Sequence, residues 1–424
     1  MSIVYSTLNH PLRVPLAAEI HSRPFLKQEA PSDVSHLAVY GGPASGAAQR
    51  ATLASLCAHF GVAGPGADAS YFYHDFGRFR LKWELHTEFA TFTFAQPGSA
   101  GGAFEHMPIA HLPEQWLLDL QGKVMVAAHV LLDNGGAPAD MLQASFGGNL
   151  LVGGGVMQGG ELYTDFAIQP DGFSRFVLRD VGMRAQQGGR LVQRVLEIET
   201  YRMMALLGLP FAQQAAASLN AIENELSDLT TAMVDFNDAD EPALLDQIMG
   251  LSARMEKLSL ENSYRFAASK AYFRLVNARI EELREHRIEG TPTVFEFMDR
   301  RLAPAMNTCE AMAGRQEALA RRIANTNDLL RTRVGIVQEQ QNRQILQSLN
   351  ERAAQQLHLQ QAVEGLSVAA ISYYVIGLFS YSGKAAKAAG LALNVEVAVG
   401  MLVPFVAAGV WLALRRMHRR MPKH

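Results

Sequence analysis

Two stretches near the C-terminal end constrain this chain more than anything before them. Residues 366–383 read LSVAAISYYVIGLFSYSG and carry no charge; residues 395–414 read VEVAVGMLVPFVAAGVWLAL and carry only Glu396. A helix needs about 20 mostly apolar residues to cross the hydrocarbon core of a bilayer. Two such stretches joined by the short connector 384–394 predict a transmembrane hairpin; the alternative is a helical hairpin buried in a soluble core. The tail beyond residue 414 carries Arg415, Arg416, Arg419, Arg420 and Lys423, against Lys384 and Lys387 in the connector. The larger basic cluster stays cytoplasmic. Because two spans return the chain to its starting side, the polar domain ahead of them is expected in the cytoplasm as well.

Composition narrows the partners. A net charge of −3 over 424 residues gives no global basic signal, so no nucleic-acid partner is expected. Cys57 and Cys309 are the only cysteines, which excludes a disulfide scaffold and a cysteine-rich zinc site and suits a reducing compartment. The opening MSIVYSTLNHPLRVPL lacks a basic segment followed by an apolar run, so no signal peptide is predicted.

The patterning predicts an α+β chain: an α/β sheet domain over 1–186, a helical domain over 187–303, a long stalk helix over 304–365, spans at 366–383 and 395–414, and a basic tail at 415–424. Near the start, Pro11, Pro15 and Pro24 bracket one short helix over 16–21. His10 and His21 there read either as site residues or as turn caps. A short strand is expected over 37–40 and a helix over 47–60, ended by Gly61.

The clearest strand signal lies within 71–94. From Arg78 to His86 alternation is strict: Phe79, Leu81, Trp83 and Leu85 fall on one side, Arg78, Arg80, Lys82, Glu84 and His86 on the other, and Glu88 continues that row. Beyond Glu88 the parity changes, which predicts a bulge or a new strand. Side chains two residues apart on a strand lie about 7 Å from each other. Glu84, His86 and Glu88 therefore form a candidate polar site, able to hold a divalent cation or support acid–base chemistry. The alternative is a solvated face on which Arg80, Lys82 and Glu84 pair across strands.

Residues 146–161, FGGNLLVGGGVMQGGE, contain neither GxxxxGK[ST] nor a GxGxxG placed between strand and helix. Their glycines read as sheet bends and hairpins, followed by two strands around a Pro-Asp-Gly turn. From Gly189 the period becomes helical. The helix is expected to end at Gly208 and Pro210, with Glu197 and Tyr201 four apart on one face. Helices over 211–236 and 242–285 follow, with a further start near Thr293. From 305 to 364 there is no proline, and Leu319, Ile323, Leu330, Val334, Val337, Ile345 and Leu349 recur at spacings of three, four and seven. Asn327 and Gln341 fall in the same seam. Some sixty helical residues would span about 90 Å, and such a helix needs packing on its neighbours, on copies of itself, or on both.

Several words spread along the chain carry a resemblance: HPLR and EIHSRPF near the start, KWELHTEFATFTF, GGRLVQRVLEIETYRMMALLGLP, and RTRVGIVQEQQNRQILQSLNERAAQQLHLQQAVEGLSVAAISYYVIGL. In these the chain resembles a bacterial family of membrane-anchored proteins with a domain of unknown function. The resemblance implies an inner-membrane location and brings no reaction. In the order of its parts the chain also resembles the CorA-type divalent-cation channels, homo-pentamers whose first span lines the pore. Their Gly-Met-Asn triplet at the outer end of that span is absent, the matching stretch being Tyr381-Ser382-Gly383-Lys384.

Three functions are therefore expected in turn. The first is a homo-oligomer held through stalk and spans, moving ions along a path that Ser372, Ser380 and Tyr381 face. The second is a non-transporting membrane scaffold with a cytoplasmic binding domain. The third is a tethered metal-dependent enzyme built on Glu84, His86 and Glu88. No nucleophile elbow, HExxH, CxxC or phosphate loop supports an enzyme.

Overall fold

A computed structural model describes residues 8–14, 16–17, 25–98, 103–135, 146–147, 149–235, 241–389 and 394–420. The chain forms two compact units, Met1–Phe236 with Asp246–Asn327, and Asn237–Leu245 with Asp328–His424.

The first unit is built on the alternation read in the sequence. Strands β1 (Ser32–Tyr40), β2 (Tyr71–Asp75), β3 (Arg80–Leu85), β4 (Phe89–Pro97), β5 (Val124–Asp133), β6 (Val152–Val156), β7 (Gly160–Ile168) and β8 (Ser174–Asp180) make one sheet in the order β2-β3-β4-β1-β5-β8-β7-β6. Every pairing is antiparallel except β5 with β8. The parity change after Glu88 is a new strand: His86 N–H donates to the Phe89 carbonyl at 2.8 Å, and β4 returns along β3. Phe79, Leu81, Trp83, Phe92 and Phe94 then share one face. Helix α1 (Gly46–His59) covers it with Leu53, Leu56 and Cys57, and helix α2 (Glu114–Leu118) brings Trp116, whose indole N–H donates to the Thr52 carbonyl at 3.0 Å. Each of these large side chains contributes about 1.5–3 kcal/mol by leaving water.

Strand β1 is longer than the expected 37–40. It lies in mid-sheet, but its first half carries Ser32, Asp33, Ser35 and His36, all buried. Such residues hide a strand from a hydrophobicity count. They are tolerated here because they bond: Ser32 Oγ donates to the Gln96 carbonyl at 3.0 Å, and Ser35 Oγ pairs with His129 Nδ1 at 3.1 Å.

The glycine-rich stretch does serve the sheet. β6 and β7 form a hairpin, and a Cβ on Gly153 would stand 1.8 Å from the Leu162 carbonyl oxygen of the neighbouring strand. The outer edge of β6 is closed by Gly155 N–H donating to the His286 carbonyl at 2.9 Å and His286 N–H returning to Gly155 at 2.7 Å.

Helices follow: α3 (Gln187–Leu206), α4 (Gly208–Asp235), α5 (Glu241–Leu283), α6 (Val294–Arg301), α7 (Ala303–Ala388) and α8 (Val395–Arg420). Gly208 and Pro210 do not merely end α3; they form the first turn of α4, where the missing proline N–H would have had no helical partner. Thr293 opens α6 with a capping box shared with Glu296. Within the first unit, ion pairs Arg315–Glu223 and Lys270–Glu310 tie the start of α7 to α4 and α5.

α7 is one unbroken helix through the expected stalk and first span. Leu319, Ile323 and Leu330 of its seam are buried, Val334 and Val337 half-buried, and Ile345 and Leu349 exposed. In the second unit the end of α7 and all of α8 are long and apolar enough to cross a membrane. Gly383 packs on Val395, where a Cβ would stand 2.8 Å from Cγ1.

Candidate functional site: a polar cleft beneath α3

The other face of β1, β3 and β4 is polar. The register sets His36 and Lys82 beside Thr93, and Glu84 and Ala38 beside Thr91, so these side chains converge from three strands. This face is not solvated. α3 lies across it, presenting Gln193, Glu197, Thr200 and Tyr201, and Arg279 reaches in from α5. The helix sits close because position 189 is glycine; a Cβ there would stand 2.2 Å from the Leu26 carbonyl oxygen. Between sheet and helix remains a cavity of about 250 Å³. At roughly 30 Å³ each, that is room for about eight waters.

Its walls are a connected polar network. Lys82, 4% exposed, sets Nζ 3.0 Å from Glu84 Oε2 and donates to Gln193 Oε1 at 3.4 Å. Gln193 Nε2 donates to Glu197 Oε1 at 2.7 Å, and the Arg279 guanidinium pairs with Glu197 and, at 2.8 Å, with Glu282. The His36 ring bonds Thr93 Oγ1 through Nδ1 at 2.9 Å and Thr200 Oγ1 through Nε2 at 3.1 Å. Burial first, then the charge of Lys82 and the nearby His86, drive the His36 pKa down to about 3, so the ring is neutral at pH 7. Burial and the facing Glu84 carboxylate hold the Tyr71 hydroxyl up at about 12. The Thr91 hydroxyl, in a residue 5% exposed, has no hydrogen-bond partner among the described residues. Leu26, Phe89, Val192 and Leu196 supply the apolar part of the lining.

The three residues singled out on the strand do not stay together. Glu84 and His86 line the cleft, where His86 stacks on Phe89 with ring centroids 4.3 Å apart. Glu88, fully buried, belongs to a different cluster: it pairs with the Arg265 guanidinium and accepts the Tyr272 hydroxyl at 3.1 Å. The parity argument failed at this point because residues 86–88 form the β3–β4 turn rather than strand. Among the described residues no group of three or more His, Cys, Asp and Glu is placed to hold a metal ion.

The remaining candidates lie elsewhere. His10 is exposed, and its Nδ1 accepts the Leu12 N–H at 3.2 Å; His21 lies outside the described residues. In the first apolar stretch Ser372 is 7% exposed and its hydroxyl has no partner among the described residues, Ser380 is half-buried, and Tyr381 is 77% exposed. In α8 the Arg415 guanidinium stacks over Trp411 at 4.9 Å, Arg416 is exposed, and Arg419 and Arg420 form the last turn.

His36, Thr91, Thr93, Gln193, Thr200 and Arg279 were not singled out from the sequence. One signal was available: Gln193, Glu197 and Tyr201 recur every four residues along α3, a polar stripe on a helix that is otherwise apolar enough to cover a sheet.

Residues 8–421 match the model of a family described as a protein of unknown function, DUF3422. No curated protein and no solved structure matches the chain.

Proposed function

Because the chain belongs to the DUF3422 family, which has no assigned function, we propose from its own geometry that it is a membrane-anchored binding protein. The helix pair at its C-terminal end holds it in the bacterial inner membrane. The sheet domain, cytoplasmic like the basic tail, takes a small polar ligand into the cleft beneath α3. The observation that carries this reading is the cleft itself, a polar cavity lined by Thr91, whose buried hydroxyl has no partner among the described residues. Native folds leave few buried polar groups unpaired, and a bound ligand is one reason to keep one.

The anchor is supported by burial: only 6% of each apolar window is buried, whereas a soluble core helix would be mostly covered. The orientation rests on Arg415, Arg416, Arg419 and Arg420 outnumbering Lys384 and Lys387. Carbonate-washed membranes should retain the full chain, and protease added outside spheroplasts should leave the N-terminal domain intact. Purified full-length protein should unfold at a higher temperature with a member of a library of small polar metabolites. A ligand at a hundred times its Kd adds about 2.7 kcal/mol of stability. A stabilising ligand whose effect disappears in Glu197→Ala supports the reading, and a silent library contradicts it.

A second reading, a homo-oligomer of CorA-like build that moves ions, is favoured by one observation. Ile345 and Leu349, and ten residues further on Leu359, Val363 and Leu366, recur at steps of three and four along α7, and all are exposed. A second copy of the chain would cover such a stripe. Light scattering on the detergent-solubilised particle separates the readings: a ring of several copies that leaks divalent cations from liposomes supports it, and a monomer or closed dimer removes it.

A further inference from the structure

The ligand's chemistry can be argued from what the cleft has already used and what it has left over. Its charges are matched internally. The Lys82 ammonium faces Glu84, and the Arg279 guanidinium faces Glu197, which also receives the Gln193 amide. A ligand with net charge would give up its hydration and meet, among the described residues, no uncompensated counter-charge.

The spare bonding capacity is hydroxyl capacity. Thr91 lines the cavity, and its buried Oγ1 has no partner among the described residues. A neutral His36 ring has one N–H and one bare nitrogen. Of the two threonines it bonds, one accepts from the ring and keeps its own O–H to donate, while the other donates to the ring and keeps a lone pair. The cleft thus offers both a donor and an acceptor of neutral type, one from the sheet and one from α3. The paired carboxylates of Glu84 and Glu197 retain lone pairs that accept strongly from O–H groups. Phe89, Val192 and Leu196 offer apolar wall to C–H surface.

Resting on the reading of this cleft as a ligand site, we infer that it binds an uncharged polyhydroxylated molecule of monosaccharide or cyclitol size, seated on Thr91, Thr93 and Thr200. The cavity has room for one such ring.

The test is isothermal titration of the full chain in a detergent without a sugar headgroup. The probes are ribose, glucose, myo-inositol and sorbitol, set beside acetate, succinate and phosphate as anions and choline as a cation. At least one polyol should bind and no ion should. Thr91→Val should weaken that polyol by about tenfold, the worth of one hydrogen bond whose partner is left buried. Thr91→Ser, which keeps the hydroxyl, should retain binding and guards against a fold defect. Binding of an ion with the polyols silent overturns the ligand class and leaves the cleft a binding site. Polyol binding indifferent to Thr91→Val overturns the seating proposed here. Silence from every class overturns the cleft reading with it.

Discussion

The two faces of strands β1, β3 and β4 are made from alternate residues of the same few segments, and they have opposite fates. Under α1 and α2, Phe79, Leu81, Trp83, Phe92 and Phe94 are buried against one another; Phe92 meets Trp116 edge-on at 5.3 Å. Under α3, Lys82, Glu84, Thr91, Thr93 and His36 line a cavity of about 250 Å³. Apolar side chains pack at any angle that fills space, whereas buried polar groups are held by directional bonds and cannot close every gap. A sheet that needed only stability would have been covered by apolar residues on both sides. The polar face is held by directional bonds around a cavity.

The largest expected effect breaks the apolar side. Phe92→Ala should lower stability by about 3–5 kcal/mol, read as a drop in the urea midpoint of the full chain. On the polar side, Lys82→Met removes the ammonium 3.0 Å from the Glu84 carboxylate and should cost about 3 kcal/mol, while adding Glu84→Gln should recover most of the loss. Recovery of nothing would mean that the pair is not coupled.

Protonation reads both faces. His36 has a folded pKa near 3, below its ordinary value of about 6.5. The unfolded chain therefore binds the proton first, and stability present above pH 6.5 is lost as pH falls toward 3. Each pH unit in that window is worth up to about 1.4 kcal/mol. His129, held near 4 mainly by burial, adds to the same trend. His36→Gln should flatten the profile between pH 6.5 and 4, and an unchanged slope would show that His36 is not buried neutral.

The legible and illegible parts of this chain divide along the same line. Strand β3, helix α1, the β7–β8 hairpin around its Pro-Asp-Gly turn and the unbroken α7 were readable because each shows a local period, a turn signal or a lack of breakers. The polar row of β3 was readable as a row, but not as a buried one. Its cover is α3, over a hundred residues downstream, and no local period records which face a distant helix will choose. β1 was half-hidden because Ser35 and His36 look like surface until their partners His129, Thr93 and Thr200 are known. Glu88 was misjudged with its neighbours because the chain turns at 86–88 and directs it to Arg265.

The most direct measurement is the stability of Thr91→Val beside the wild type, in the absence of ligand. If the cleft is kept for a ligand, replacing a buried hydroxyl that has no partner by a methyl group removes a desolvation cost. The account predicts a variant more stable by about 1 kcal/mol in the urea midpoint. A variant less stable by as much would mean that the Thr91 hydroxyl is a structural group, and that the cleft is not held open for anything.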